Sequence, residues 1–515
     1  MVVANKNTEA ARGHFGGLIT VPRAAALGFL LLTLVTAGTY GFYGDELYYI
    51  ACGKHLDWGY VDHPPMVALL TLIGTSIFGE TIVALRFMAG LAGAITVLLS
   101  AHVARVLGGR RTSQSLAALS VCCAPAFPAL SSFFSMNPID VMLCTLFLVA
   151  FLGAITAPSP PKWIAVGVLF GTGLLNKYTF LVLGFSVLLS LIMTKRWEVL
   201  RSRWLYISGA VALVMFLPHL LWQINNGWPT LEFMHNATEF KNLSLSPIAF
   251  MSQLVIGLNP LTLPLWLSGV LYLLFSKETK ERRFLGWTAV VFILVYLLQN
   301  SKFFYVLPVF PVLLGSGAVA CERFSQNYRF SWPTWVVGVT MTVSGALLMP
   351  LAVPVLPVDQ FVSYAKTLGL WDAVRMQKNE GDALPIHIVY RFGWEEVVDA
   401  TGAAFNALPQ HEKDRCAILA SWYGIAGAID HFGATYGLPG AICPNNSYWM
   451  WGTHSYSGDV VLAVGYDAHS LEEYFASVER VASVNIPYAY EVEIYLCKRP
   501  KGTLDQLWPT LRRFI

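Results

Sequence analysis

The chain has 515 residues, 55% of them hydrophobic and only 13% charged, and its mean hydropathy is +0.55. That balance excludes a soluble domain of this length and implies a multi-pass helical membrane protein. The formal net charge of +3 gives no electrostatic footprint for nucleic acid.

Lys6, Arg12 and Arg23 precede an apolar run from Ala24 to about Tyr43. The run is longer than a signal-peptide core, so it reads as an uncleaved first helix. The stretch Tyr43–Met66 then places Asp45, Glu46, Lys54, His55, Asp57, Asp62 and His63 in a chain otherwise poor in charge. Apolar segments on both sides put these groups where membrane meets water. Ionisable groups there cost stability and usually carry function, the plain alternative being a polar loop. The Asp45–Glu46 pair can supply a base, and Lys54 and His63 can hold an anion.

Val67–Phe78 is apolar but only about a dozen residues long, too short to cross ~30 Å of hydrocarbon. Led by Pro64–Pro65, it reads as a juxtamembrane helix within a first outer loop spanning residues 43–81. The second span is Ile82–Val106. Further spans follow at 114–130, 138–156, 163–176, 178–194, 204–222, 260–276, 284–300, 303–321 and 333–355, about eleven in all. Gly167-x-x-x-Gly171 reads as a helix-packing contact.

With the N-terminus inside, Lys and Arg concentrate in alternate loops: Arg110–Arg111, Pro158–Lys162, Lys195–Arg203, Lys277–Arg283 and Arg323–Arg329. That is the bias of cytoplasmic loops. An odd number of spans sends residues 357–515 to the outer side, after a membrane domain of residues 1–356. In the tail, Ile386–Tyr390, Cys416–Ala420, Val460–Val464 and Glu491–Cys497 read as strands. Trp394–Phe405, Tyr423–Tyr436 and Leu471–Val481 read as helices between them, and the alternation predicts a small α/β domain. The 8 cysteines show no C-x-x-C spacing. Cys416 and Cys443 are either a disulfide of an oxidising compartment or free thiols.

The remaining polar groups of the spans fall at one membrane level with the first loop. Asn137 and Asp140 begin the fourth span, Asn176, Lys177 and Tyr178 form the turn between the fifth and sixth, and Lys302 and Tyr305 begin the tenth. Snorkelling explains one such residue. Several, each costing ~2.5–3.5 kcal/mol in hydrocarbon, point to a charged ligand at the outer leaflet. Lys177, Lys302 and His63 can neutralise a phosphate, Asp45 can take a proton from an attacking hydroxyl or amine, and grooves between apolar helices can hold a lipid tail. The combination fits a lipid-phosphate sugar donor whose phosphate leaves.

The strings D-E-L-Y-Y, D-H-P-P-M, L-L-N-K-Y-T and K-F-F-Y-V-L-P-V-F-P resemble glycosyltransferase family 39. This is the protein O-mannosyltransferase and aminoarabinose-transferase group with the GT-C fold, and the resemblance covers about residues 24–320. It implies an inverting, polyprenyl-phosphate-sugar-dependent transferase in a bacterial inner (plasma) membrane. The catalytic carboxylate falls on Asp45, with Glu46 beside it. Lys54, Asp62, His63, Asn137, Asp140 and Tyr178 join Lys177, Lys302 and Tyr305 as substrate-binding candidates. His63–Pro64–Pro65 matches the mannosyltransferase element, whereas the aminoarabinose branch has lysine at His63. No catalytic motif of the tail matches. Asn445–Gly452, rich in aromatics, reads either as the wall of an acceptor cleft or as a packed corner.

The expected partners are a polyprenyl-phosphate sugar, membrane lipids, and a lipid, glycan or protein acceptor. No cofactor is expected, and the sequence leaves a divalent metal open. The rival reading is a transporter or flippase of lipid-linked sugars, but inverted repeats and midplane helix breaks, the marks of transporters, are not visible. A receptor or scaffold built on the outer domain leaves the intramembrane charges unexplained.

Overall fold

The structure is a computed structural model that describes residues 20–241, 246–327, 332–371, 384–486 and 490–515. Lys6 and Arg12 lie outside the described residues. Helix covers the expected spans in whole or in part: the first, expected to run to about Tyr43, ends at Val35. Five described helices are long and apolar enough to cross a membrane unaided: Ile82–Val106, Met136–Thr156, Arg203–Asn225, Phe303–Asn327 and Thr334–Ala352. A further pair, Pro247–Gly257 and Pro260–Phe275, passes the same test together but bends by 92° at its break. Pro260 and Pro264 lack the amide protons that would continue a helix through that bend. Val21–Val35, Met66–Phe78 and Thr179–Met193 are shorter apolar helices, and Pro160–Asn176 and Arg283–Leu298 fall on two further expected spans.

The expected 114–130 span is broken into Arg111–Cys122 and Ala126–Ser131. Pro125 starts the second piece, and Pro128 within it removes another amide donor. Between the expected 204–222 and 260–276 spans lie two helical pieces that composition did not reveal. One is Pro229–Asn236, and the other is Pro247–Gly257, each opened by its proline.

Phe310–Asn327 is the axis of the bundle and buries residues around its whole circumference, from Phe310 to Val319. Pro160–Asn176 lies close against Arg203–Asn225. A Cβ on Gly167 would come within 2.5 Å of the Ser208 carbonyl oxygen, and one on Gly171 within 2.9 Å of Met215. The Gly167/Gly171 stripe is therefore a helix contact, as its spacing predicts.

The C-terminal part carries a five-stranded sheet: β1 Cys416–Ala420, β2 Ala441–Ile442, β3 Val460–Val464, β4 Phe475–Asn485 and β5 Glu491–Pro500, in the order β2-β1-β3-β5-β4. β1 pairs parallel to β2 and β3, whereas β5 is antiparallel to β3 and β4. β1 and β3 are buried at every position, as expected for parallel strands covered on both faces.

Two expectations fail here. Ile386–Tyr390 is not a strand: Ile386–Val389 is a short helix. Pro385 caps it, its carbonyl accepting from the Ile388 and Val389 amides. Leu471–Val481 is not a helix: Ala468–Glu472 is helical and Phe475–Asn485 is edge strand β4. Its Val478, Val481 and Val484 suit a pleated surface better than a helix. All eight cysteines are free thiols, Cys416 and Cys443 included.

The C-terminal sheet is not a separate ball on a tether. A single continuous apolar core joins the bundle to Trp394, Ile425, Ile429 and the β1–β3 strands. The approach is closest where the helix Tyr423–Phe432 crosses the helix Gly44–Lys54. A Cβ on Gly427 would stand 2.9 Å from the Leu47 backbone, so only glycine permits this crossing without displacement.

Candidate active site

The first outer loop opens with the helix Gly44–Lys54, whose N-cap Tyr43 is extended. Glu46, at the third position, reaches back to accept from the Tyr43 amide (2.8 Å), the backward half of a capping box. Its Oε1 also accepts from the Phe134 amide (2.8 Å), and Arg86 grips both carboxylate oxygens (3.1 and 2.9 Å). Arg86 donates further to the carbonyls of Ala37, Tyr40 and Gly41. Neither side chain of the pair is exposed. Every oxygen of Glu46 is thus committed to holding the loop on the bundle.

Asp45 differs. It is half-buried, stands in the first turn where the helix field favours a carboxylate, and accepts from the Tyr423 hydroxyl at 3.0 Å. The phenols of Tyr43, Tyr49, Tyr305, Tyr390 and Tyr423 all lie within its electrostatic reach.

Lys177 caps the C-terminal end of Pro160–Asn176 in an extended conformation. Its Nζ donates to Asn137 Oδ1 at 2.7 Å and lies 4.3 Å from the centre of the Tyr305 ring, a cation–π contact. The buried Asp140 is within electrostatic reach of Lys177. Lys302 is half-buried at the N-cap of the short helix Phe303–Val309, which carries Tyr305. Lys177, Asn137 and Tyr305 therefore form one contact cluster from three helical segments distant in sequence, with Asp140 in electrostatic reach of Lys177 and Asp45 of Tyr305.

Asp62 and His63 sit deeper in the loop. Asp62 Oδ1 accepts from the Tyr48 hydroxyl (2.8 Å) and stands 4.0 Å from His63 Nε2. His63 is fully buried, stacked on Tyr60 with ring centres 4.7 Å apart, and its Nδ1 donates to the Pro64 carbonyl (2.9 Å). Tyr178 bonds His219 Nε2 at 2.7 Å, and His219 Nδ1 in turn meets the Trp58 carbonyl at 2.8 Å.

Lys54 is not part of the cluster. It ends the helix that Asp45 begins, about 13 Å further along the axis at 1.5 Å per residue. There it pairs with Glu80 (2.9 Å), which also faces His431 of the C-terminal part (3.3 Å).

The Asn445–Gly452 run packs against the first loop. The Ser447 amide donates to the Tyr48 hydroxyl (3.2 Å), Ser447 Oγ accepts from the Val61 amide (3.1 Å), and Trp451 stacks on His55 with ring centres 4.2 Å apart. Of the two readings of this run, the packed corner describes these contacts. Asp430, accepting from Tyr448 (2.6 Å) and the Ala441 amide (2.8 Å), has its carboxyl pushed up by burial.

Arg391 also crosses between the two parts. It donates to Ser132 Oγ (2.8 Å) and faces the Phe133 ring. Burial, then the nearby Arg86, push its guanidinium down to about 9.

Sequence reasoning missed Arg86, Arg391 and Tyr423. Arg86 carried a usable signal, a lone arginine near the start of an apolar span. Arg391 and Tyr423 carried none, because each meets its partner only through the chain's tertiary return. Among the described residues, no group of three or more His, Cys, Asp or Glu is placed to hold a metal ion.

The family model of dolichyl-phosphate-mannose-protein mannosyltransferases matches residues 62–222. The chain is 26% identical over 207 residues to the lipopolysaccharide core galacturonosyltransferase RgtB of Rhizobium johnstonii, covering 40% of this chain and 41% of that protein. It is 24% identical over 283 residues to the lipid A galacturonosyltransferase RgtD of the same organism, covering 53% and 59%. The chain thus spans 41% of the first and 59% of the second of these curated relatives. Among solved structures it is similar to ArnT from Cupriavidus metallidurans bound to undecaprenyl phosphate, with a TM-score of 0.62 and 18% identity over 92% of this chain and 97% of that one. The apo state of the same protein gives 0.61 at 18% identity, over 94% and 98%. The resemblance read from the sequence is borne out, and the fold is the multi-pass GT-C architecture of these ArnT structures.

Proposed function

We propose that this chain, with its GT-C fold and its likeness to family 39, is an inverting glycosyltransferase. It moves a sugar from a polyprenyl-phosphate donor to an acceptor at the outer face of a bacterial inner membrane. The observation that carries the reading is that one tyrosine senses both a carboxylate and a lysine: Tyr305 lies within electrostatic reach of Asp45, and its ring centre lies 4.3 Å from Lys177 Nζ. That juxtaposition supplies both things the reaction needs, a proton acceptor and a cation for the leaving phosphate. The printed activities of RgtB and RgtD and the undecaprenyl phosphate of ArnT support the same chemistry.

In the proposed reaction Asp45 takes the proton of the acceptor hydroxyl or amine as that group attacks the anomeric carbon. The bond from that carbon to the phosphate oxygen breaks as the new one forms. The electron pair leaves with the polyprenyl phosphate, so the configuration inverts. Lys177 and Lys302 meet the phosphate charge before and after departure. A leaving group already held by lysines needs no dedicated general acid. Asn137 and Asp140 orient Lys177, Tyr305 shields it, and Tyr178, Asp62 and His63 shape the loop wall. Lys54 serves the loop's outer contact rather than the donor. The N-terminus lies in the cytoplasm and residues 357–515 on the outer side.

Mass spectrometry of envelope lipids and glycans from cells with and without the protein tests this. Loss of one sugar-modified species, restored by the wild-type protein and not by Asp45→Asn, is the expected outcome. Full restoration by Asp45→Asn would favour the transporter reading instead.

A further inference from the structure

Tyr423 belongs to the C-terminal part, yet its hydroxyl ends 3.0 Å from Asp45 Oδ1. Several contacts fix it there. Its backbone amide donates to Asn445 Oδ1 (3.3 Å), and Asn445 Nδ2 donates to the Arg513 carbonyl (2.9 Å). Its ring lies against Tyr48 with centres 4.6 Å apart and edge-on to Trp422 at 5.0 Å. One turn further on, Gly427 lets the whole helix press against Leu47.

Burial, followed by the charges of Asp45 and Asp62, holds the Tyr423 phenol well above its ordinary range. It therefore acts as a neutral donor at any working pH. A donor bonded to a carboxylate favours the ionised form and restricts its rotation. The groups that share Asp45's surroundings are Tyr43 and Tyr49 at its own helix, Tyr305 from the bundle, and Tyr390 from the C-terminal part. Lys177 stands behind Tyr305.

We propose that Tyr423 is a positioning residue for Asp45: its hydroxyl fixes one oxygen of the carboxylate, so that the C-terminal domain completes the catalytic centre. The inference rests on Asp45 being the base proposed above. It gives the C-terminal domain a part in the chemistry that its sequence shows no motif for.

The experiment compares full-length wild-type protein and Tyr423→Phe in membranes with a polyprenyl-phosphate sugar, reading kcat, donor KM, the pH profile and the melting temperature. The ring is kept, so folding should survive. Losing a hydrogen bond to a charged group should lower kcat about ten- to a hundredfold, with donor KM within about twofold. The acid limb should move to higher pH, because the carboxylate loses a bond that favoured its ionised form. A folded Tyr423→Phe with wild-type kcat and an unmoved acid limb overturns the proposal. So does a lower melting temperature with an unmoved limb, the signature of packing alone. Should Tyr423→Phe not fold, Asn445→Ala, which loosens Tyr423 but keeps its hydroxyl, must show the same kcat loss, and wild-type kinetics there overturn the proposal. Asp45→Asn is the control: if it turns over normally, the base assignment itself falls, whereas an inactive Asp45→Asn beside a normal Tyr423→Phe removes only this inference.

Discussion

Glu46 and Arg86 face each other as a two-pronged ion pair, Nε on Oε1 at 3.1 Å and Nη2 on Oε2 at 2.9 Å, with neither side chain reaching solvent. The neighbouring carboxylate, Asp45, instead accepts from the Tyr423 hydroxyl at 3.0 Å. A helix separates adjacent side chains by about 100°, which is how one Asp–Glu pair serves two purposes. One carboxylate anchors the loop, and the other, under the function proposed above, serves as the base.

Breaking the anchor should unfold the loop. Removing one partner of a buried pair leaves an uncompensated charge and costs about 3–5 kcal/mol. Glu46→Ala and Arg86→Ala should therefore give protein that aggregates or melts far below wild type, as read by size-exclusion chromatography and thermal melting in detergent. A Glu46→Gln protein that melts like wild type yet fails to transfer would move the base from Asp45 to Glu46.

Asp45→Asn keeps the side chain's size and its contact with Tyr423 but loses the proton acceptor. General base catalysis is worth about 10²–10⁴-fold, so turnover should drop by that much while donor affinity and melting temperature stay put. Wild-type turnover in this variant would take the loop out of the chemistry.

Lys177 bonds Asn137 and covers Tyr305; as the proposed phosphate site it exchanges the amide oxygen for a phosphate oxygen. Charge-assisted hydrogen bonds contribute about 1.5–3 kcal/mol, so Lys177→Met should weaken polyprenyl-phosphate binding about ten- to a hundredfold. Isothermal titration of the purified protein reads this directly. Unchanged affinity in both Lys177→Met and Lys302→Met rules the two lysines out as the phosphate site.

His387 offers a pH test of the junction between the two parts. Burial, then the Arg391 guanidinium, push its imidazole down to about 4, whereas in the unfolded chain it titrates near 6.5. Between these values the unfolded chain binds more protons, so stability falls as pH drops from about 6.5 to about 4. Melting temperature should decline over that window, and His387→Gln should flatten the decline. Equal slopes in the two proteins would assign the acid sensitivity to other groups.

Orientation can be read chemically. Cys52, Cys123, Cys144, Cys416, Cys443 and Cys497 are buried, which leaves little native background for a bulky thiol reagent. Glu473 is exposed on the C-terminal part. In intact inner-membrane-accessible cells, Glu473→Cys should react with a membrane-impermeant maleimide. Labelling only after the membrane is broken would place that domain in the cytoplasm.

Hydropathy and charge placement are local properties, and they determined a great deal about this protein. Apolar length marked where most of the long helices fall and set off the short apolar helix Met66–Phe78, because the energetic demand of hydrocarbon is met residue by residue. Polar groups stranded among apolar segments marked Asp45, Asn137, Asp140, Lys177 and Tyr305 as candidates. Local preference failed where context outweighed it: Ile386–Val389 turned helical beside Pro385, and Phe475–Asn485 took a strand because β5 was there to pair with it. Only the tertiary structure decided which of two adjacent carboxylates is locked away, since Arg86 stands 40 residues from Glu46. Only it brought Tyr423 to Asp45, 378 residues apart. Such a contact depends on how the C-terminal sheet packs onto the first loop, an outcome of the whole core that no stretch of sequence carries by itself.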